Sequence, residues 1–210
     1  GLLALQAAAG PKDGAYPLDV LGAESEGMVG YLIEQELENA LPGGRLVATL
    51  LTQVLVDRRD AAFRHPTKPI GPVYDEAEAA QVSKARGWTV ADVGGGWRRV
   101  VPSPRPLQVL EARVIELLAS QGVTVICAGG GGIPVLERSD GTLVGVEAVV
   151  DKDLASALLA RQLGARKIEP CAPEVGRQLI GIDEAIEMVD VGGAALLGAA
   201  ARNAAGVAAV

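Results

Sequence analysis

Two lysines in this sequence stand where a cation could meet an anion. Lys68 lies between Pro66 and Pro69, and the flanking prolines hold the chain extended and limit the freedom of the backbone that carries it. Lys152 lies in Asp151-Lys-Asp153, directly before Leu154-Ala-Ser-Ala-Leu-Leu-Ala-Arg-Gln-Leu163, whose leucines recur at helical spacing. Asp151 suits the N-cap of that helix and Asp153 suits its first turn. A lysine there opposes the helix dipole by some tenths of a kcal/mol unless an anion sits beside it. Each residue also has a plain reading, a solvated lysine in a turn and a charged tripeptide at a helix start. By spacing alone the plain reading is favoured for Lys68, while for Lys152 four consecutive glycines, Gly129 to Gly132, tilt the balance. Each glycine costs roughly 0.5 to 1 kcal/mol relative to alanine, so a turn needing one permissive residue does not account for four, whereas close approach of a ligand to the main chain does. Arg98, Arg99 and Ser103 form a further polar group that either orients a small anionic substrate or pairs with nearby acids. His65, the single histidine, reads as a solvated loop residue. Neither a Ser-His-Asp nor a Cys-His arrangement is present, and no Gly-x-x-x-x-Gly-Lys loop occurs.

The elements that must position these groups follow from periodicity. Val123-Thr-Val-Ile-Cys127 is a short β-branched run ending in the glycines, which predicts a buried parallel strand opening into a backbone-lined crevice. An amphipathic helix is predicted from about Glu24 to Leu41, closed by Pro42-Gly-Gly44, and a β-rich run from Leu46 to Val56 follows it. Residues 58–104 differ in composition, with prolines, basic residues, both tryptophans and a helix from about Asp75 to Arg86. They read as a small lid lobe with Trp88 and Trp97 as its anchors. Leu107 to Gln121 is read as a core helix leading into the Val123 strand. Residues 1–57 and 105–210 then form the α/β core, without internal repeats.

Composition narrows the function classes. Nineteen basic and 26 acidic residues give a net charge of −7, which argues against nucleic acid or an anionic membrane surface as the partner. Any anionic substrate must be drawn by local lysines and main-chain amides. Two cysteines, Cys127 and Cys171, make neither a metal-site spacing nor a disulfide framework, and a cytoplasmic location is the expectation. The opening Gly1-Leu-Leu-Ala-Leu5 reads as neither a signal peptide nor a membrane span.

The segments Pro66-Thr-Lys-Pro-Ile-Gly-Pro72, Trp97-Arg-Arg-Val-Val-Pro-Ser-Pro104, Cys127-Ala-Gly-Gly-Gly-Gly-Ile-Pro134 and Gly145-Val-Glu-Ala-Val-Val-Asp-Lys-Asp-Leu-Ala155 resemble, in order, the bacterial carbamate kinases of the amino acid kinase superfamily. The resemblance runs from Gly1 to about Ala165 and includes Tyr16-Pro-Leu-Asp-Val-Leu-Gly-Ala-Glu24. It implies a three-layer αβα sandwich with a mainly parallel sheet, incomplete at the N-terminus, and a small protruding lobe. It implies Lys68, Lys152 and Asp153 as catalytic residues, with Asp153 holding Lys152. Gly129, Gly130, Gly131, Gly132, Asp151, Arg99 and Ser103 become substrate or nucleotide contacts, and no protein metal ligand is assigned. ATP or ADP with Mg2+, carbamate or carbamoyl phosphate, and a homodimer come with the family. Its Gly-Gly-Asn and Gly-Asn-Gly-Pro loops, its Asp-Val-Asp strand and its late Gly-Pro-Lys lysine have no counterpart here. The alternative is therefore a catalytically inactive truncated or fused α/β fragment with a binding or assembly role. From Ile182 onward the tail resembles a stretch of the IMP cyclohydrolases, with Gly198 and Arg202 where that family carries an arginine and a catalytic lysine. A fused fragment and a diverged family C-terminus are both open.

Overall fold

The computed structural model describes residues 16–41 and 43–165, with the backbone of Val207–Ala209. Helix α1 spans Leu18–Ala40. Strands β1 (Val47–Thr49) and β2 (Gln53–Val56) follow it. Next come β3 (Lys68–Tyr74), α2 (Glu76–Arg86), β4 (Val90–Asp92) and β5 (Trp97–Val101). The chain continues through β6 (Pro106–Val109), α3 (Ala112–Ser120) and β7 (Thr124–Cys127). Finally β8 (Ile133–Glu137), β9 (Leu143–Gly145) and α4 (Lys152–Gln162) lead to a separate strand β10 (Val207–Ala209).

Strand β7 organises the layers. All four of its residues are buried, as expected for a parallel strand covered on both sides. It pairs in parallel with β1 through Val47↔Thr124 and Thr49↔Ile126, and with β10 on its other edge. Alternation along the strand sends Ile126 to one face, where it packs with Ile33 and Leu37 of α1. Val125 and Cys127 face the other way, into a cluster with Ile115 of α3 and Ala155 and Leu159 of α4. Helix, sheet and helix therefore form the three layers of an α/β fold.

A second sheet, in the order β6-β2-β8-β9, joins β2 in parallel to β8 and flanks them with antiparallel β6 and β9. Three expectations are corrected here. The run Leu46 to Val56 is not one strand: it turns at Leu50 to Thr52, so β1 and β2 enter different sheets. The helix expected from Leu107 begins only at Ala112. Pro104 and Pro106 press the residues before them into extended backbone, and Val109 is fully buried in β6 opposite Val54. Helix α1 also starts six residues earlier than Glu24, because Glu147 Oε1 accepts the N–H of Leu18 at 2.8 Å and caps the helix from outside.

The third sheet, β3-β5-β4, is antiparallel and carries α2. Helix α2 is fixed by a capping box between Asp75 and Glu78 and stops at Gly87, which is left-handed at φ 67°. Half-buried Trp88 is flanked by two cations, with the Arg99 and Arg86 guanidiniums 4.3 and 5.0 Å from its ring centroid. At the neck, the Asp60 carboxylate accepts the N–H groups of Ala62 and Arg105, tying the outgoing chain to the returning one.

The core of the main sheet yields a direct expectation. Ile115→Ala, at a site with no exposed surface, should lower unfolding free energy by about 2 to 5 kcal/mol, whereas Val114→Ala on the exposed face of α3 should change it by less than about 0.5. Urea unfolding of both variants measures the difference, and equal losses would contradict the packing described.

Candidate functional site

The site is built around the first turn of α4. Asp151 caps the helix with one carboxylate oxygen, Oδ1, which accepts the N–H groups of Asp153 at 3.0 Å and Leu154 at 3.4 Å. The other oxygen, Oδ2, accepts from Lys68 Nζ at 3.2 Å. Lys68 is the first residue of β3 and reaches the core across 83 positions of sequence. Burial raises the Asp151 pKa, but the Lys68 ammonium and the two amides outweigh it and hold the carboxyl below the usual aspartate range. Lys152 and Asp153 are half-buried in the same turn. Asp151 is the N-cap that the sequence predicts, and the structure adds its contact with Lys68.

The glycine run has a different basis from the one read in the sequence. Gly131 is left-handed at φ 105°, and a Cβ there would collide with the Val150 carbonyl and come 3.2 Å from the Lys152 nitrogen. At Gly132 a Cβ would meet Val54 and, at 3.0 Å, the Thr52 carbonyl, and at Gly129 it would meet Glu26 Cγ at 3.0 Å. Only Gly130 faces open space. The glycines are thus required by close packing of the chain on itself. The amides of Gly131, Gly132 and Ile133 donate to Ala128, Gly129 and Thr52 carbonyls, so most of this run cannot also cradle an anion. Gly130 is the exposed residue of the turn.

Glu26 was missed in the sequence. It is 4% exposed on α1, and its two oxygens accept from Thr52 N at 3.0 Å and Gly129 N at 2.9 Å. Burial pushes its pKa up, against the lowering effect of the two amides, with nearby Glu111 adding to the rise. The available signal was its register: Glu26, Gly30, Ile33 and Leu37 fall at helical spacing on the inward face. Thr52 completes the group, its hydroxyl accepting from Ala128 N and donating to the Leu50 carbonyl.

The arginines are engaged within the protein. Arg98 donates twice to the Gly71 carbonyl, at 3.1 and 2.7 Å, and so braces the kink in β3. Arg99 donates to Glu147 Oε2 at 2.6 Å, four residues before Asp151. Ser103 is half-buried between Pro102, whose carbonyl accepts Val149 N–H, and buried Pro104. His65 is exposed. Burial pushes the Cys127 thiol up to about 12, which disfavours its thiolate, and Cys171 lies outside the described residues. A shallow cavity of about 280 Å³ lined by Asp19, Leu51, Gln53 and Ile133 includes none of Lys68, Arg99, Ser103, Asp151, Lys152 and Asp153. No described helix is long and apolar enough to cross a membrane.

Comparison with known proteins bears on this arrangement. No family model matches the chain. It is 56% identical over 167 residues to a carbamate kinase of Rhizobium meliloti, covering 79% of this chain and 52% of the relative. It is 50% identical over 165 residues to the carbamate kinase of Escherichia coli K12, covering 79% and 54%. The chain therefore spans about half the length of the curated relatives it matches. Among solved structures, carbamate kinase from Giardia lamblia bound to AMP-PNP superposes with a TM-score of 0.68 at 43% identity, covering 79% of this chain and 52% of that one. A structure from Aeropyrum pernix K1 gives 0.73 at 39%, covering 85% and 61%. These relatives lend no support to the cyclohydrolase likeness, whose residues from Ile182 to Asn203 lie outside the described ones.

The Lys68 contact sets the acid behaviour of the site. Because Asp151 titrates below its ordinary value of ~3.9, its contribution to stability is present above that value and is lost as pH falls through the lower folded one. Lys68→Ala should raise the Asp151 midpoint in a carboxyl NMR titration and shrink this acid-side loss of stability. An unmoved midpoint would mean that the two side chains do not pair in solution.

Proposed function

Because the chain is related to the carbamate kinases over 79% of its length, we propose that it is a carbamate kinase-type phosphotransferase that moves a phosphoryl group between ATP and carbamate, giving ADP and carbamoyl phosphate. One observation supports this above all: Lys68, from the small sheet, reaches Asp151, the N-cap that directly precedes Lys152 at the start of α4. Phosphoryl transfer needs little covalent chemistry from the protein and is favoured by in-line positioning and positive charge around the transferred group. Lys68 approaches from the small sheet, Lys152 from the helix start, and the Gly130 amide from the turn packed beneath them. Asp151 caps the first turn of α4, and Asp153 is taken to hold Lys152. The nucleotide would bring Mg2+ on its phosphates. Among the described residues no three carboxylate, histidine or cysteine side chains gather to hold a metal, so no step is assigned to the ion.

The same reading takes Arg99 and Ser103 as contacts to the small substrate and residues 58–104 as a lid. The lid is attached to the core by the Lys68 to Asp151 and Arg99 to Glu147 ion pairs and by the Val149 to Pro102 hydrogen bond. A cytoplasmic homodimer completes the proposal, supported by the apolar side chains of Met28, Tyr31 and Leu32 exposed on α1.

Coupled ATP formation from ADP and carbamoyl phosphate by the purified chain tests the activity. Lys152→Ala should lower turnover by about 10²-fold or more while leaving the unfolding midpoint nearly unchanged, since a cation at a helix N-terminus does not favour the fold. Turnover equal to wild type would remove Lys152 from the mechanism. For the lid, amides of β3 to β5 should exchange faster than those of β7 and slow on addition of ADP, and exchange as slow as that of β7 with no response to ADP would count against a moving lobe.

A further inference from the structure

We infer that Glu26 is a positioning residue for the proposed phosphotransfer site, its two carboxylate oxygens fixing the loops that follow β1 and β7 and, through them, the start of α4. The inference rests on the phosphotransfer reading above. Strands β1 and β7 are parallel neighbours, so the loops after them leave the sheet side by side at its carboxyl end, where open α/β sheets place their ligands. Glu26 holds one backbone amide of each loop, Thr52 from the first and Gly129 from the second. Thr52 then holds Ala128 through its hydroxyl and Ile133 through its carbonyl, so both ends of the glycine turn are gripped. The turn in turn presses Gly131 against the Val150 carbonyl and the Lys152 nitrogen. A displacement at Glu26 is thereby passed along packed backbone to the lysine at the head of α4.

A carboxylate is the right group for this role. Two amide donors need two acceptors, and glutamine offers one oxygen and an NH2 whose hydrogens face an N–H. Neutral burial relieves the desolvation that raises the Glu26 pKa, so Glu26→Gln should keep the fold while losing one of the two contacts. No other charged side chain of α1 is buried among the described residues.

The experiment uses the whole chain, with Glu26→Gln and with Thr52→Val, which removes the hydroxyl under Ala128. Coupled ATP formation is measured with kcat and KM separated, alongside thermal unfolding and amide cross-peaks of Gly129, Gly131, Lys152 and the distant turn residue Gly141. Glu26→Gln should lower kcat by about tenfold or more with little change in the KM for ADP, because misplacement of reacting groups by a fraction of an ångström acts on the chemical step. Cross-peaks of Gly129, Gly131 and Lys152 should move and that of Gly141 should not. Should Glu26→Gln fail to fold, Thr52→Val must show the same split. Unchanged kcat with a stationary Lys152 cross-peak overturns the inference, as does a kcat loss that only follows unfolding. Absence of turnover in the wild-type chain would defeat the phosphotransfer reading instead. The Lys152 cross-peak would then decide the positional claim by itself.

Discussion

Five residues, Glu147 to Asp151, are the constraint on which the rest of the structure depends. Glu147 caps α1 with one carboxylate oxygen and holds Arg99 of the small sheet with the other. Val149 bonds to Pro102, where β5 returns to the core. The Val150 side chain is buried in the main cluster while its carbonyl lies against Gly131. Asp151 caps α4 and receives Lys68. Four parts of the molecule, α1, the glycine turn, the small lobe and α4, are therefore located relative to one short stretch. The Lys68 ion pair is about a third or more exposed at both ends, and such pairs contribute only about 0 to 1 kcal/mol. What the segment supplies is relative placement, with the buried Val150 and the backbone bonds supplying most of the hold.

The parts of this arrangement that were legible in the sequence are those set by local chemistry. Asp151 declares itself as an N-cap because the residues after it have helical period, and β7 declares itself because it is β-branched and ends in glycine. The α2 boundaries follow from the Asp75 capping box and Gly87. Errors arose where tertiary contacts override the local pattern. Leu107 to Gln121 has a helical period over most of its length, yet Val109 gains more from burial in β6 than from a helix that two prolines oppose at its start. Glu26 was passed over because an acid on an amphipathic helix reads as solvated unless the inward register is traced through it.

The glycine run shows how a correct location can come with an incomplete reason. Four glycines do mark the carboxyl end of β7 and do lie beside Lys152. Three of them, however, are required by Glu26, Val54 and Val150, which approach too closely for a side chain. Glycine permits backbone to approach anything closely, and from sequence an external phosphate and an internal carbonyl are indistinguishable. Only neighbours distant in sequence decide between them.

Charge gives the last step. The chain is acidic overall, and Lys68, proposed to receive a phosphate, already faces Asp151, as Arg99, proposed to contact the small substrate, faces Glu147. An anion arriving between Lys68 and the start of α4 would compete with Asp151 for that ammonium rather than meet an isolated charge. Its binding therefore draws on the difference between two similar contacts, which favours a ligand of higher charge than a single carboxylate. Phosphate oxygens meet that condition and the singly charged small substrate does not. The ion pairs seen here are thus compatible with a site that distinguishes a phosphorylated ligand from an unphosphorylated one by charge, with the Asp151 cap on α4 kept through Oδ1 while Oδ2 is exchanged.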